Sequence, residues 1–240
     1  MDKGKKEKLV FEPIKYEDDK KEKGILEIYK NQDWDHLVPL ILDAVDHTKS
    51  KEKSYGNYPY FRLKTKAGFL PTLNVESDIL TNIKLKELYE FLPDSHQFSN
   101  LYRIYSMTVD GCALKTFYNK CQDISNSILI IKDEEDNIFG AYASECFEPS
   151  KDFSGTGECF LFTFYKGNKI HVFNSTGINR NFMYCDDEQI CFGCSDDYFS
   201  LSLRDDFLEG FTHTTQTYQN LLLTSKDKFT IVKLELWGFE

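Results

Sequence analysis

Phe153-Ser154-Gly155-Thr156-Gly157-Glu158-Cys159-Phe160-Leu161-Phe162-Thr163-Phe164-Tyr165 joins a turn with two closely spaced glycines to a strongly apolar run. Glycine lets the backbone reach positive φ or pass close to a neighbour. The aromatic run after Glu158 reads as a strand buried on both faces. A glycine loop that cradles a coenzyme phosphate opens into a helix, whereas this one opens into a strand. Gly155 and Gly157 are therefore read as shape residues, and Glu158 as the side chain of the segment available for a contact.

Strand-like segments continue on both sides of it. Ser127 to Ile131 and Ile138 to Ala143 flank the polar turn Asp133-Glu134-Glu135-Asp136-Asn137, the pattern of a hairpin. Further strands are expected at Glu158 to Tyr165, Lys169 to Phe173, Gln189 to Phe192, Tyr198 to Leu203 and Phe229 to Leu236. Upstream, Leu85, Leu88, Tyr89 and Leu92 follow helical spacing and Pro93 supplies a stop. Leu114, Phe117, Tyr118 and Cys121 repeat that spacing after Asp110-Gly111. Short strands joined by turns rather than helices indicate an α+β domain, a β-sandwich of two antiparallel sheets flanked by helices.

This domain is expected over residues 75–240. Residues 1–24 alternate Lys with Asp and Glu and hold too little apolar surface to offset the entropy of ordering, so they read as a flexible charged tail. Residues 25–74 read as an extension. In it Trp34, Leu37, Ile41, Ala44 and Val45 share one helical face, and Lys49 to Pro71 forms a linker. The helix either packs on the domain as an extra layer or offers its apolar face to a partner groove.

The 240 residues are 41% hydrophobic and 15% aromatic, enough for a sizeable sheet-rich core. Up to Val75 the chain carries 15 Lys and Arg against 13 Asp and Glu, which leaves 14 against 26 beyond it. That net −12 repels phosphate backbones and anionic membrane, so a basic protein surface suits the domain better than nucleic acid or lipid. No run approaches the roughly 18 apolar residues of a membrane span, and the N-terminal MDKGKKEK lacks the apolar stretch of a secretory signal. Seven cysteines in apolar segments suit reduced thiols, which points to the cytoplasm or nucleus.

Several pieces in order carry a family pattern: Ile79-Leu80 with Leu85 to Pro93, Leu101 to Ser106, Gly111 to Tyr118, Phe139-Gly140-Ala141-Tyr142-Ala143, Gly155 to Phe162, Tyr198 to Leu203, and Leu234-Glu235-Leu236-Trp237-Gly238. In this order and spacing the chain resembles the TLDc domain of the oxidation-resistance protein family over about residues 75–240. Gly140, Gly155, Gly157, Gly193, Trp237 and Gly238 are its structural motif residues. The resemblance implies a two-sheet sandwich, a role in oxidative-stress resistance, and a non-enzymatic interaction module that binds and regulates the vacuolar proton-pumping ATPase. It implies no cofactor, and a location in the cytoplasm or at acidic organelles through a partner. One departure stands out: family members often carry a glycine-rich turn before the strand Tyr198 to Leu203, where this chain has Cys191-Phe192-Gly193-Cys194-Ser195-Asp196-Asp197.

The candidate chemistry has competing readings. Cys191 and Cys194 form a C-x-x-C pair that on a tight turn can ligate a metal or cycle as a dithiol, against a reading as structural thiols. Cys159, beside Glu158 and one strand before His171, is a nucleophile only with a base in reach, and otherwise a small hydrophobe. Lys132 to Asn137 lacks the glycine and distal Glu of a calcium loop and reads as a solvated turn. Glu158, Asp196, Asp197, Asp205 and Asp206 are the partner-binding candidates, and Asp186-Asp187-Glu188 is a further acidic run. The alternatives to a pump-binding module are a thiol-based redox or hydrolytic enzyme using Cys191 and Cys194 or Glu158, and a scaffold with no contact to the pump.

Overall fold

A computed structural model describes residues 71–164, 168–196 and 198–240. The charged tail, the helix around Trp34 and all of the linker but Pro71 lie outside the described residues. Hydrogen bonding to the first strand is in place from Thr72, whose carbonyl accepts the Leu101 amide at 3.0 Å.

The sequence builds eleven strands among the described residues: β1 (Leu101–Ser106), β2 (Ser127–Asp133), β3 (Ile138–Ala143), β4 (Phe153–Ser154), β5 (Phe160–Phe164), β6 (Ile170–Asn174), β7 (Met183–Cys185), β8 (Gln189–Ser195), β9 (Tyr198–Arg204), β10 (Glu209–Phe211) and β11 (Lys228–Phe239). They pair antiparallel along one path, β4-β7-β8-β9-β10-β11-β2-β3-β5-β6, with β1 paired to β11 beside β10. The expected strands are all present. β8 and β11 run longer than their apolar runs suggested, because ladder bonds continue through Ser195 and Phe239. The sheet is mainly antiparallel with few helices, an α+β architecture.

Alternation explains the layering. In β2, Leu129 and Ile131 enter one core cluster while Ile128 and Ile130 enter another, as a strand with both faces covered requires. β5 divides the same way, Leu161 to the first cluster and Phe160, Phe162 and Phe164 to the second, as its unbroken apolar run predicted. The first cluster also holds Ile190, Phe192, Leu201 and Leu203, so strands from both ends of the path bury side chains in one core. In the second cluster Leu85, Leu88 and Leu92 of the helix α1 (Asn82–Tyr89) and its exit cover β2, β3 and β5. Thr81 caps this helix, accepting the Lys84 amide at 3.3 Å.

After β1 come α2 (Met107–Asp110) and α3 (Leu114–Cys121). No side chain caps α3. Its Leu114 amide donates instead to the Asp205 carbonyl at 2.8 Å, so the helix start is fixed by a turn far away in sequence.

Two motif residues are explained by close approach. A Cβ on Gly140 would drive into the Leu129 carbonyl, and one on Gly238 would meet the Tyr102 ring at 2.7 Å. The turn after β2 corrects the reading of a wholly solvated hairpin. Asp133 is buried, and its carboxylate accepts the amides of Glu135 (3.0 Å) and Asn137 (2.8 Å) and the Thr224 hydroxyl, which ties the hairpin to the segment before β11.

Glu235 on β11 is also fully enclosed. It accepts the Ser77 hydroxyl at 2.6 Å, the Asp78 amide at 2.8 Å and the indole N–H of buried Trp237 at 3.0 Å, with Arg103 at 3.7 Å. Removing it strands buried donors, so Glu235→Ala should cost about 3 kcal/mol in urea unfolding followed by Trp fluorescence. A cost below about 0.5 kcal/mol would show that this network does not hold the approach to α1 on β11.

Candidate functional site

The antiparallel pair β8 and β9 sets the acidic residues in place. Gln189 pairs with Arg204, so the turn before β8 (Asp186, Asp187, Glu188) and the turn after β9 (Asp205, Asp206) lie at one end of the ladder. Each turn is tied by its own carboxylate. Asp186 accepts the amides of Glu188 (2.8 Å) and Gln189 (2.9 Å), and Asp206 accepts that of Leu208 (2.9 Å).

Helix α3 bridges the two turns. Its Leu114 amide holds the Asp205 carbonyl, and one turn on the Tyr118 hydroxyl donates to the Asp186 carbonyl at 2.8 Å. Asp187, Glu188, Asp205 and Asp206 are exposed, and Asp187 meets Lys151 at 3.6 Å, an exposed pair of little energetic weight. The result is a rim of carboxylates on two hydrogen-bonded turns, a local concentration of negative charge that attracts basic groups.

The partner-binding candidates do not form one patch. Asp205 and Asp206 join the Asp186–Glu188 run. Asp196 sits exposed at the other end of β9, which at seven residues of extended chain is about 20 Å away. Asp197 lies outside the described residues. Glu158 is exposed on the loop before β5, its amide held by the Thr156 hydroxyl at 3.2 Å.

In that loop Gly155 has φ +89°, and a Cβ there would also meet Cys159 Sγ at 3.0 Å. Gly157 has room for a Cβ, with Ser175 Oγ the nearest atom at 3.5 Å, so of the two glycines read as shape residues only Gly155 is required by shape.

The thiol candidates take different surroundings from those the sequence suggested. Cys191 and Cys194 lie on a strand rather than a turn, opposite Ser202 and Phe199, and Gly193 between them is a kink at φ +64° inside β8. Three residues of extended chain span about 10 Å, beyond the Cα separation a disulfide allows without backbone movement. Cys191 is fully buried, and burial pushes its thiol well above the ordinary value. Cys159 is buried against the Ser144 hydroxyl at 3.2 Å. His171 pairs with Thr163, four residues along the strand and about 13 Å from Cys159, so the structure does not bring that base to that thiol.

The TLDc domain profile matches residues 73–240. The chain belongs to the TLDc-domain family. Among relatives, oxidation resistance protein 1 of Xenopus tropicalis is 36% identical over 173 residues, 72% of this chain and 20% of that protein. The human protein of that name is 34% identical over the same length. Nuclear receptor coactivator 7 of Gallus gallus is 33% identical over 212 residues, 88% of this chain and 23% of that protein. The chain thus spans about a fifth of the length of these relatives.

In this TLDc domain the residues that sequence reasoning missed are Tyr118, whose hydroxyl ties one acidic turn, and Asp123 and Glu148, which line a cleft together with it. Helical spacing placed Tyr118 on the apolar face of α3 but carried no signal for its hydroxyl contact.

Burial sorts the seven cysteines. Cys121, Cys159, Cys185 and Cys191 are buried, and Cys112, Cys146 and Cys194 are half-buried. Burial pushes Cys121 and Cys185 up to about 12, so neither is ionised at neutral pH. With a colourless thiol reagent at pH 8, only the three half-buried thiols should react in the native protein, and the other four only after denaturation. Fast native labelling of Cys191 would revive a thiol mechanism there.

Proposed function

We propose that this chain is a non-enzymatic TLDc interaction module that contributes to oxidative-stress resistance by binding and regulating the vacuolar proton-pumping ATPase from the cytoplasmic side. The observation that carries this reading is family membership across the whole described domain, joined to an acidic rim built on two tied turns. The names of the relatives support the stress role, and the rim supports docking to a basic protein surface. Among the described residues no helix is long and apolar enough to cross a membrane, which fits recruitment through a partner. The same reading takes the single strand path as a sandwich folded about β11, supported by the core that both arms share.

The test is affinity capture of the tagged full chain from native lysate in mild detergent. Pump subunits should be recovered at low salt, and recovery should fall several-fold on raising salt to about 0.5 M, where the Debye length is only about 4 Å. Asp205→Lys, which reverses an exposed charge and leaves the carbonyl that holds α3, should weaken capture about fivefold. Recovery of other proteins without any pump subunit at low salt would replace this reading with that of a scaffold.

A further inference from the structure

Between the C-terminal end of α3 and the loop after β3 lies a cleft of about 270 Å³, lined among others by Tyr118, Asp123, Cys146, Phe147, Glu148 and Pro149. Its volume falls below the roughly 300–1,000 Å³ of pockets that enclose whole small molecules, and suits one long side chain better.

Three features select the charge of that side chain. Asp123 and Glu148 supply exposed carboxylates to the lining. Cys146 shares the lining with them, and its thiol is raised first by burial and then by the nearby charges of Glu148, Glu145 and Asp123. The C-terminal end of a helix adds the negative end of its dipole.

Of the cations on α3 and the loop after β3, Lys120 is paired with Asp110 at 2.9 Å, and Lys151 meets Asp187 at 3.6 Å in a weak exposed pair. The floor is apolar and fixed. Phe147 is buried and meets Phe117 and Phe192 edge to face, with ring centroids at 5.2 and 6.1 Å, and the Tyr118 ring is held by its hydroxyl bond to Asp186.

We propose that this cleft is a socket for one arginine or lysine side chain of a partner protein. The aliphatic stem lies along Phe147, Pro149 and the Tyr118 ring, and the cationic head sits at Asp123 and Glu148. An acidic rim steers a partner without choosing its register, whereas a preformed socket for one side chain does choose it. The proposal rests on the reading of this domain as an acidic docking module and names its anchoring contact.

The probe is N-acetyl-arginine amide, titrated into the ¹⁵N-labelled full chain, with N-acetyl-norleucine amide as the uncharged comparison. Saturable amide shifts are expected at residues 118–123 and 146–148, with Kd of about 1–10 mM. Affinity should fall at least tenfold in Asp123→Asn/Glu148→Gln and severalfold in each single variant, with spectra that remain folded. Glu209→Gln, an exposed carboxylate on β10, should leave binding unchanged.

Equal shifts with the norleucine derivative, unsaturable shifts spread over the two acidic turns, or affinity unaltered by Glu148→Gln would overturn the proposal. Because the probe is a single amino-acid derivative, failure to capture the pump would leave a positive result here standing, and the reverse also holds.

Discussion

Strand β11 imposes the constraint on which the rest of the molecule depends. Its twelve residues pair with β10 at Thr230 to Lys228 and with β1 at Phe239 to Glu235 on one side, and with β2 from Ile231 to Gly238 on the other. Three strands that are far apart in sequence thereby share one backbone. The register shifts between Ile231 and Lys233, a bulge that bends the strand where it passes from one set of partners to the next. Buried Trp237 and Glu235 then fix the segment leading to α1, so helix, sheet and core close on the same element.

The acidic rim is a consequence of that closure. β10 is held by β11 and in turn holds β9, whose end sets the turn carrying Asp205 and Asp206. That turn starts α3, and α3 reaches across to the turn at Asp186. The backbone of such a frame would have little freedom left to lose on binding, which is why tied turns suit recognition better than a loose acidic run. The proposed socket beside Tyr118 uses the same helix, so the acidic rim and the cleft are tied together through α3.

Much of this architecture was legible in the sequence, and the physical reasons differ by element. The Ser127 to Ala143 hairpin and the Phe160 to Phe164 strand announce themselves because β-branched and aromatic residues run unbroken between turn residues. β4, β7 and β10 span two or three residues each, too short for any period to register, and β1 was recognised only as a family motif because Tyr102 and Arg103 interrupt its apolar pattern. Gly193 suggested a turn where the structure has a kinked strand, since φ +64° serves either.

Of the site, the charges were visible and their grouping was not. Adjacent acids at Asp205 and Asp206 are plain in the sequence, but their union with Asp186 to Glu188 and their separation from Asp196 follow from the β8–β9 register. Asp123 and Glu148 come to line one cleft only because α3 and the loop after β3 pack together.

If β11 binds both arms into one cooperative unit, native-state hydrogen exchange across it is the most direct measurement. The ladder amides from Phe229 to Trp237 should exchange at a common rate set by global unfolding. Exchange of the Phe229 to Ile231 amides orders of magnitude faster than those from Leu234 to Trp237, under native conditions, would contradict the account by showing that the arm carrying the acidic rim opens on its own.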